Sequence, residues 1–257
     1  MPCHNLPTIA LAAAVTALST DAAAQSATIS PHPASAGSPI SFSYKFNFFG
    51  CYPRHPRLEV HDGSPTGPLV TVLPDPIASA TFMCFGPGDT LDVVWDQTDR
   101  RGRPVAEGDY WLRVPLRGAI PPGSASEHWT CITIDNGGRP ALTTAAPPRV
   151  GQANPIDLTA TPSAFYLIAA SLDSNQPVAF AGVQLCLSLD PLLLATVPPR
   201  GAIQNASGLV PPSGEVAAGL ALPLDPFLVG RSLVLQSIVH DGDRITPSNG
   251  LPLLIGA

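Results

Sequence analysis

The sequence predicts an all-β protein, with two β-sandwich domains in series after a signal peptide. Short segments that alternate apolar and polar residues recur along most of the chain, which is typical of β-strands. The 257 residues include 22 glycines and 31 prolines, which favour turns and disfavour long helices. A short, alanine-rich apolar run stands near the N-terminus, where an export signal is expected.

The N-terminal segment has most features of a secretory signal peptide. Its apolar run covers residues 6–18, and Ala22, Ala23 and Ala24 follow as small residues that suit cleavage near Ala24. Before the run only His4 stands where Lys or Arg is usual. The run is shorter than the roughly 20 residues that span a bilayer. We therefore expect a secreted protein, extracellular or periplasmic, whose mature chain does not insert into a membrane.

The first half of the mature chain contains the clearest strand pattern. Within residues 38–48, Phe42, Tyr44, Phe46 and Phe48 fall on one face, and polar residues fall on the other. Further short strands, each bounded by Gly, Pro or Asp, are predicted at 57–61, 69–73, 91–95, 110–116 and 129–134. Strands at this spacing predict a sandwich.

A polar, proline-rich stretch without alternation separates the two halves and predicts a linker. In the second half, Pro191 and Pro198 limit a helix at 192–196 to one or two turns. Strands are predicted there at 156–160, 166–172, 182–189, 215–221, 231–240 and 251–255. The predicted organisation is a signal peptide at 1–24, a first sandwich at 25–136, a linker at 137–153 and a second sandwich at 154–257.

Composition excludes several classes of protein. The chain is 45% hydrophobic and 12% charged, so it can bury a core and is not intrinsically disordered. It has 13 Lys and Arg against 19 Asp and Glu, and Lys45 is the only lysine. Without a basic surface, we expect no binding to nucleic acid.

The cysteine count predicts disulfides. Loss of Cys3 with the signal peptide leaves Cys51, Cys84, Cys131 and Cys186, an even number in an exported chain. Four cysteines allow three connectivities, of which we favour Cys51–Cys84, because both stand at loops or strand ends of one half. Cys131 and Cys186 would then pair across the domains or stay free. No cysteine or histidine spacing indicates a metal site.

One segment of the first half carries a recurring pattern of turn and core residues. Its residues are Trp95, Asp96, Asp99, Gly102, Pro104, Val105, Gly108 and Tyr110. Trp95 is expected to fill the core, Asp96 and Asp99 to hold the turn through side-chain to backbone hydrogen bonds, and Gly102 to supply a positive φ. The pattern resembles the FlgD-like and BsuPI-type immunoglobulin-like extracytoplasmic domains over about residues 38–116. The resemblance implies an immunoglobulin-like sandwich, and its BsuPI-type member implies proteinase inhibition, although no segment matches an inhibitory loop.

The second half carries a second recognisable pattern, in the segments 148–151, 222–230, 235–237, 240–241, 248–251 and 254–256. In these segments it is similar to a secreted β-module of planctomycete and myxobacterial proteins. That module has no assigned function, so the resemblance implies export and a β-fold only.

Two pairs of carboxylates, Asp96 with Asp99 and Asp241 with Asp243, allow two interpretations of their role. Hard cations prefer several carboxylates on a flexible turn, so calcium is one reading. Neither pair has the EF-hand spacing or its closing glutamate, so turn capping is favoured and no cofactor is expected. The histidines His32, His55, His61, His128 and His240 are scattered without metal-ligand spacing.

No catalytic motif is recognisable. The sequence contains no Gly-x-Ser-x-Gly, no His-Glu-x-x-His and no glycine-rich phosphate loop. Small sandwiches with few polar residues leave little room for a preorganised active site. We therefore expect a protein that is not an enzyme.

Trp111 and Arg113 are the candidate contact residues. Trp111 lies on the strand face opposite Tyr110, Leu112 and Val114, next to Arg113, so an exposed Trp111 would stack on sugar or peptide. The alternative is that Trp111 covers a seam between sheets or domains.

The sequence as a whole predicts a secreted, non-catalytic binding or structural module whose partner is a protein or a surface polysaccharide. A BsuPI-like proteinase inhibitor is the alternative.

Overall fold

The structure is a computed structural model that describes residues 26–30, 32–46, 50–52, 58–73, 83–115, 127–174, 177–197 and 201–257. The predicted signal peptide lies outside these residues, as do Phe48, His55 and Leu116. The described chain divides into two compact units between Asn136 and Gly137. Among the described residues, no helix has both the length and the apolar character needed to cross a membrane.

The described residues of the first unit form β-strands joined by turns and loops. Its strands are β1 (Ser26–Ser30), β2 (Ile40–Lys45), β3 (Gly50–Tyr52), β4 (Leu58–Asp62), β5 (Leu69–Leu73), β6 (Met83–Phe85), β7 (Thr90–Trp95), β8 (Gly108–Pro115) and β9 (Glu127–Ile134). They form antiparallel sheets in the orders β1-β2-β7 and β5-β4-β8-β9, with β3 and β6 as a separate pair. The two larger sheets are the layers of a β-sandwich.

The core of the first unit follows from the alternation of side chains along these strands. Phe42, Tyr44 and Phe46 are buried, as the pattern of β2 predicts. They belong to one cluster with inward residues of β4, β7, β8 and β9. The aromatic rings also pack directly, since the centroids of Phe46 and Phe85 are 4.3 Å apart and stacked.

The second unit is also built from antiparallel strands. These are β10 (Ala141–Thr143), β11 (Ala153–Thr159), β12 (Phe165–Ser171), β13 (Pro177–Phe180), β14 (Val183–Ser188), β15 (Ile203–Gln204), β16 (Ser207–Leu209), β17 (Glu215–Ala221), β18 (Ser232–Asp241), β19 (Arg244–Pro247) and β20 (Leu251–Leu254). One sheet has the order β10-β11-β17-β15, and another has the order β16-β12-β18-β19 with β20 also paired to β18. Residues of both sheets form one hydrophobic core, so this unit is a second β-sandwich.

Two short helical segments lie in the described part of the second unit. The helix α1 (Pro191–Thr196) agrees with the single turn or two that the flanking prolines allow. A 3₁₀ turn (Pro226–Leu228) lies between β17 and β18. In both, an aspartate caps the start and proline stands in the first turn, where its missing N–H costs no hydrogen bond.

The predicted linker needs correction. Residues 137–153 contain β10 and the first residue of β11, and β10 pairs with β11 from Ala141↔Thr159 to Thr143↔Asp157. Leu142 of β10 belongs to the core of the second unit. The stretch therefore supplies an edge strand of the second sandwich, which its proline-rich composition concealed.

Candidate functional site

Five side chains on one face of the β4–β8–β9 region form a connected polar group, which we call the sheet-face cluster. Its members are Glu59, His61, Arg113, Glu127 and Trp129. In β8, Tyr110, Leu112 and Val114 point into the core, so the alternation places Arg113 on the opposite face. The strand register sets Glu59 and Trp129 directly opposite Arg113 on its two neighbours. The antiparallel pairing of three strands thus assembles the cluster.

Arg113 lies at the centre of the cluster between two carboxylates. Its Nη1 donates to Oε2 of Glu59 at 2.9 Å, and its Nε donates to Oε2 of Glu127 at 2.6 Å. Its side chain is 33% exposed, against 15% for Glu59 and 36% for Glu127. Charge-assisted bonds to a planar guanidinium are directional, so the two carboxylates fix the plane of Arg113.

Trp129 and His61 complete the cluster. Trp129 Nε1 donates to Glu127 Oε1 at 3.2 Å, and the guanidinium carbon of Arg113 lies 5.9 Å from the centre of the Trp129 ring. The His61 ring meets the Trp129 ring edge-on, with centroids 5.2 Å apart. His61 Nδ1 lies 3.0 Å from the Gly67 carbonyl oxygen, and Nε2 lies 3.4 Å from Glu59 Oε2.

The charges of the cluster stabilise one another. Burial raises the pKa of Glu59, but hydrogen bonds from Arg113 and His61 outweigh it, so that pKa lies below its ordinary value. Burial lowers the pKa of Arg113, but its bonds to Glu59 and Glu127 outweigh this and leave it above its ordinary value. Arg113 and Glu59 therefore each favour the charged form of the other.

The cluster offers hydrogen-bond donors to a ligand. The His61 ring is held by its contacts with the Gly67 carbonyl and the Glu59 carboxylate. Arg113 has further N–H donors beside the two that it uses, and its side chain is partly exposed. These donors suit hydroxyl or carboxylate oxygens of a ligand.

The turn between β7 and β8 is held as its residues suggest. Asp96 Oδ1 accepts from the backbone N–H and the hydroxyl of Thr98. Asp99 Oδ1 accepts from the backbone N–H groups of Arg101 and Arg103, while Oδ2 accepts two bonds from the Arg103 guanidinium. These bonds, those of the Arg103 side chain first, lower the pKa of Asp99 to about 2. A cation at this turn would have to displace Arg103 from Asp99.

The core residues of the same motif also lie in this turn region. The Trp95 ring is buried, and its Nε1 donates to the Thr98 carbonyl at 3.1 Å. Its ring meets Tyr110 edge-on at 5.3 Å, and the Tyr110 hydroxyl donates to the Ala106 carbonyl at 2.7 Å. Gly102 has φ of 71°, and Gly108 is the first residue of β8.

Sequence reasoning missed Gln97, a buried residue of this turn with φ of 59°. Its Nε2 donates to the carbonyls of Ser35 and Ser38, and its Oε1 accepts from the Gly37 N–H at 2.7 Å. In the sequence Gln97 stands between two aspartates. That pattern does not distinguish a buried glutamine that hydrogen-bonds the backbone of another loop from an exposed loop residue.

The expectation that Trp111 is exposed is wrong. Its side chain is only 1% exposed, which excludes it as a contact residue. Arg113, the other predicted contact residue, is partly exposed and belongs to the sheet-face cluster. Strand alternation gave the correct face for both residues, but it does not reveal what covers that face.

Cys84, Cys131 and Cys186 are each disulfide-bonded, so the alternative in which Cys131 and Cys186 stay free is wrong. The backbone of Cys51 lies directly opposite that of Cys84 in the β3–β6 pair. Facing positions of antiparallel strands have Cα atoms about 4.5–5.5 Å apart, within the range that a disulfide needs.

The motif residues of the second unit have structural roles. Gln236 Oε1 accepts from the Cys186 N–H, and its Nε2 donates to the Ser248 carbonyl. The Ser248 hydroxyl accepts from the Ser237 N–H and donates to the Asn249 carbonyl. Asp241 and Asp243 flank Gly242, whose φ is 61°, in the β18–β19 turn, where the Asp243 N–H donates to the Asp241 carbonyl. These contacts help to hold the fold of the second unit.

The fold and the cluster define an all-β protein of antiparallel sandwiches with disulfides and a fixed charged group on one sheet face. No protein-family model matches the chain, and no curated protein matches it. Among solved structures, "Crystal Structure of Rst D1-D2" is 12% identical, with a TM-score of 0.24, 90% of this chain covered and 99% of that one. Red sea bream transglutaminase is 10% identical, with a TM-score of 0.26, 94% of this chain covered and 33% of that one. Likenesses this weak carry no argument about function.

Proposed function

We propose that the chain is a secreted, non-catalytic β-sandwich protein that acts at the cell exterior as a binding module. The observation that carries the proposal is the position of Arg113, fixed by Glu59 and Glu127 with donors left for a ligand. A preorganised guanidinium loses little conformational entropy on binding. Its hydrogen-bonding pattern suits a surface polysaccharide or an extended protein segment.

The first unit adds support through its topology. The sheets β1-β2-β7 and β5-β4-β8-β9 group the strands as immunoglobulin-like and related sandwiches do. The bond from the Tyr110 hydroxyl to Ala106, four residues upstream, has the form of the tyrosine corner of such domains. We therefore propose an extracytoplasmic immunoglobulin-like domain of the FlgD-like or BsuPI-type kind. The disulfides are compatible with export.

The test uses residues 25–257 with disulfides intact, immobilised and exposed to peptidoglycan fragments and to envelope polysaccharide of the producing cell. We expect retention at physiological salt and a loss of at least about tenfold in affinity for Arg113→Ala, the effect of one charged hydrogen-bonding group. Arg113→Lys keeps the charge but loses the planar fork and should retain part of the affinity. Glu127→Gln serves as a second variant if Arg113→Ala is destabilised.

Either of two results would contradict the proposal. Retention that is equal in the wild type and in folded Arg113→Ala would remove the cluster from the binding site. Retention of nothing from medium or envelope would favour a passive structural role.

A proteinase inhibitor is the second candidate, because the β7–β8 turn has the rigidity that an inhibitory loop needs. Asp99 ties this turn to the backbone of Arg101 and Arg103, while Arg100 and Arg101 are exposed. Exposed arginine on a rigid loop suits a protease that cleaves after basic residues. Stoichiometric inhibition of trypsin that is lost in Arg101→Ala would establish this candidate, and cleavage of the loop without inhibition would exclude it.

A further inference from the structure

The exposed part of the sheet-face cluster presents hydrogen-bond donors. Arg113 uses its Nε–H for Glu127 and one N–H of Nη1 for Glu59. The second N–H of Nη1 and both of Nη2 make no hydrogen bond within the part of the chain that the structure describes. Because its side chain is 33% exposed, Arg113 can donate to a ligand from a position that two carboxylates hold fixed.

A hydrogen-bond acceptor stands directly beside these donors. Glu127 Oε2 accepts from Arg113 Nε at 2.6 Å, and Oε1 accepts from Trp129 Nε1 at 3.2 Å. Each oxygen of a carboxylate can accept two hydrogen bonds, so Glu127 keeps capacity on both oxygens. Its side chain is 36% exposed, against 15% for Glu59, so Glu127 is the more accessible acceptor of the two.

A ligand group that both donates and accepts fits this pair of side chains best. A hydroxyl can accept from Arg113 and donate to Glu127, and neighbouring hydroxyls of a sugar ring can divide the two bonds between them. An ionised carboxylate of a ligand only accepts. It would compete for Arg113 with two glutamates that already form ion pairs with it. The arrangement therefore favours an uncharged, hydroxyl-rich ligand over an anionic one.

The position of the cluster in its sheet disfavours an extended peptide. Such peptides add to a sheet edge, where unpaired backbone groups continue the ladder of hydrogen bonds. Arg113 and Glu59 instead lie on β8 and β4, the two interior strands of the sheet β5-β4-β8-β9. The Trp129 ring is mostly buried, so it leaves little surface for stacking. Side-chain hydrogen bonds are therefore the main contacts that the cluster offers.

We infer that the sheet-face cluster binds an uncharged polysaccharide through the hydroxyls of its sugar rings, with Arg113 as donor and Glu127 as acceptor. The inference rests on the proposed function of the cluster as a binding site and adds the chemical class of its ligand. Salt screens hydrogen bonds to neutral hydroxyls little, whereas attraction between an arginine and an anionic polymer weakens as ionic strength rises. The salt dependence of binding therefore separates the two classes of ligand.

The test uses residues 25–257 with disulfides intact and envelope polysaccharide of the producing cell, separated by anion exchange into an uncharged and an anionic fraction. We expect retention of the uncharged fraction, with less than about a twofold change in affinity between low and high salt. Arg113→Ala should lower this affinity at least about tenfold, and Arg113→Lys should lower it less.

The effect of Glu127→Gln has opposite signs for the two classes of ligand. An amide accepts a weaker hydrogen bond than a carboxylate, so affinity for the uncharged fraction should fall about threefold. Affinity for an anionic polymer would rise instead, because the variant removes a carboxylate that competes for Arg113. This variant also carries the test if Arg113→Ala does not fold.

Two matched controls accompany the variants. The first is the uncharged fraction after its primary hydroxyls have been oxidised to carboxylates, which should bind at least about fivefold more weakly. The second is Arg100→Ala, which removes an exposed arginine of the β7–β8 turn and should leave binding unchanged.

Three results would overturn the inference. Retention of the anionic fraction alone, lost in Arg113→Ala and stronger in Glu127→Gln, would leave the proposed function intact. Retention of the uncharged fraction that is equal in the wild type and in folded Arg113→Ala and Glu127→Gln would remove the cluster from the binding site and overturn the proposed function as well. If neither fraction is retained, the proposed function survives only through Arg113-dependent capture of peptidoglycan fragments or of an envelope protein.

Discussion

The side-chain amide of Asn249 pairs with the backbone of Leu142 as a neighbouring strand would. Asn249 Oδ1 accepts from the Leu142 N–H at 2.7 Å, and Nδ2 donates to the Leu142 carbonyl at 3.1 Å. Both residues are buried, although 107 positions separate them. The amide thereby satisfies both backbone groups of the central residue of β10.

Asn249→Leu should destabilise the second unit by about 2–4 kcal/mol, because it leaves a buried N–H and a buried carbonyl without partners. Urea unfolding of the full chain measures the loss, and amide hydrogen exchange should be faster at Leu142. The exposed β10 variant Thr143→Ala is the control and should change stability by less than about 0.5 kcal/mol. An unchanged rate of amide hydrogen exchange at Leu142 in Asn249→Leu would show that the Asn249 side chain does not hold β10 in place.

The hydroxyl of Tyr110 is predicted to stabilise the first unit by about 1–2 kcal/mol through its bond to Ala106. Tyr110→Phe keeps the ring against Trp95 and removes only this bond, so thermal or urea unfolding should report the difference. Burial, with smaller effects of Asp62 and Asp109, raises the pKa of Tyr110 to about 12. In a spectrophotometric titration, Tyr110→Phe should lose the absorbance change of one tyrosine that ionises near pH 12. An unchanged titration would contradict the raised pKa of Tyr110.

The alternation of side chains let the sequence predict most of the fold. The period-2 pattern within residues 38–48 located β2, and apolar runs bounded by turn residues located β5, β7 and β18 to within one residue. Short strands such as β15 were missed, because two residues carry no periodicity. The predicted hydrogen bonds of Asp96 and Asp99 to the backbone of the β7–β8 turn are present. They could be predicted because both partners lie within a few residues in the sequence.

The sheet-face cluster was only partly predictable. Arg113 was chosen because it neighbours Trp111, but Glu59, His61 and Trp129 come from other strands. Which residues face each other depends on strand register, which a single sequence does not specify. Gln97 and Asn249 were missed because their hydrogen-bond partners lie about 60 and 107 positions away in the sequence. Contacts between such distant positions cannot be read from a single sequence.

The pairing of Cys51 with Cys84 remains a prediction that peptide mapping checks directly. Digestion without reductant should yield one peptide pair that contains both residues, because their backbones face each other in the β3–β6 pair. Cys84→Ser should destabilise the first unit by about 2–4 kcal/mol, and the double variant with Cys51→Ser should cost no more than the single one. A peptide that links Cys84 to Cys131 or Cys186 would contradict the pairing.

Asp190 is predicted to make the second unit less stable as pH rises from about 4 to 7. Burial, with a smaller contribution from Asp173, raises its pKa to about 6 from an ordinary 3.8, although the N–H groups of Leu193 and Leu172 donate to it. Because the folded state holds this proton more tightly than the unfolded state, its contribution is fully present below about pH 4 and is lost as pH rises through 6.

Asp190→Asn removes this titration and keeps an acceptor for the Leu193 N–H at the start of α1. As pH rises from 4 to 7, the unfolding free energy of the variant minus that of the wild type should increase by on the order of 2 kcal/mol. Urea unfolding at several pH values measures the difference, with Asp157→Asn, at an exposed position of β11, as the control for a change in net charge. Parallel stability curves for wild type and Asp190→Asn would show that the carboxyl is already ionised at no cost, and the burial argument for its raised pKa would then fail.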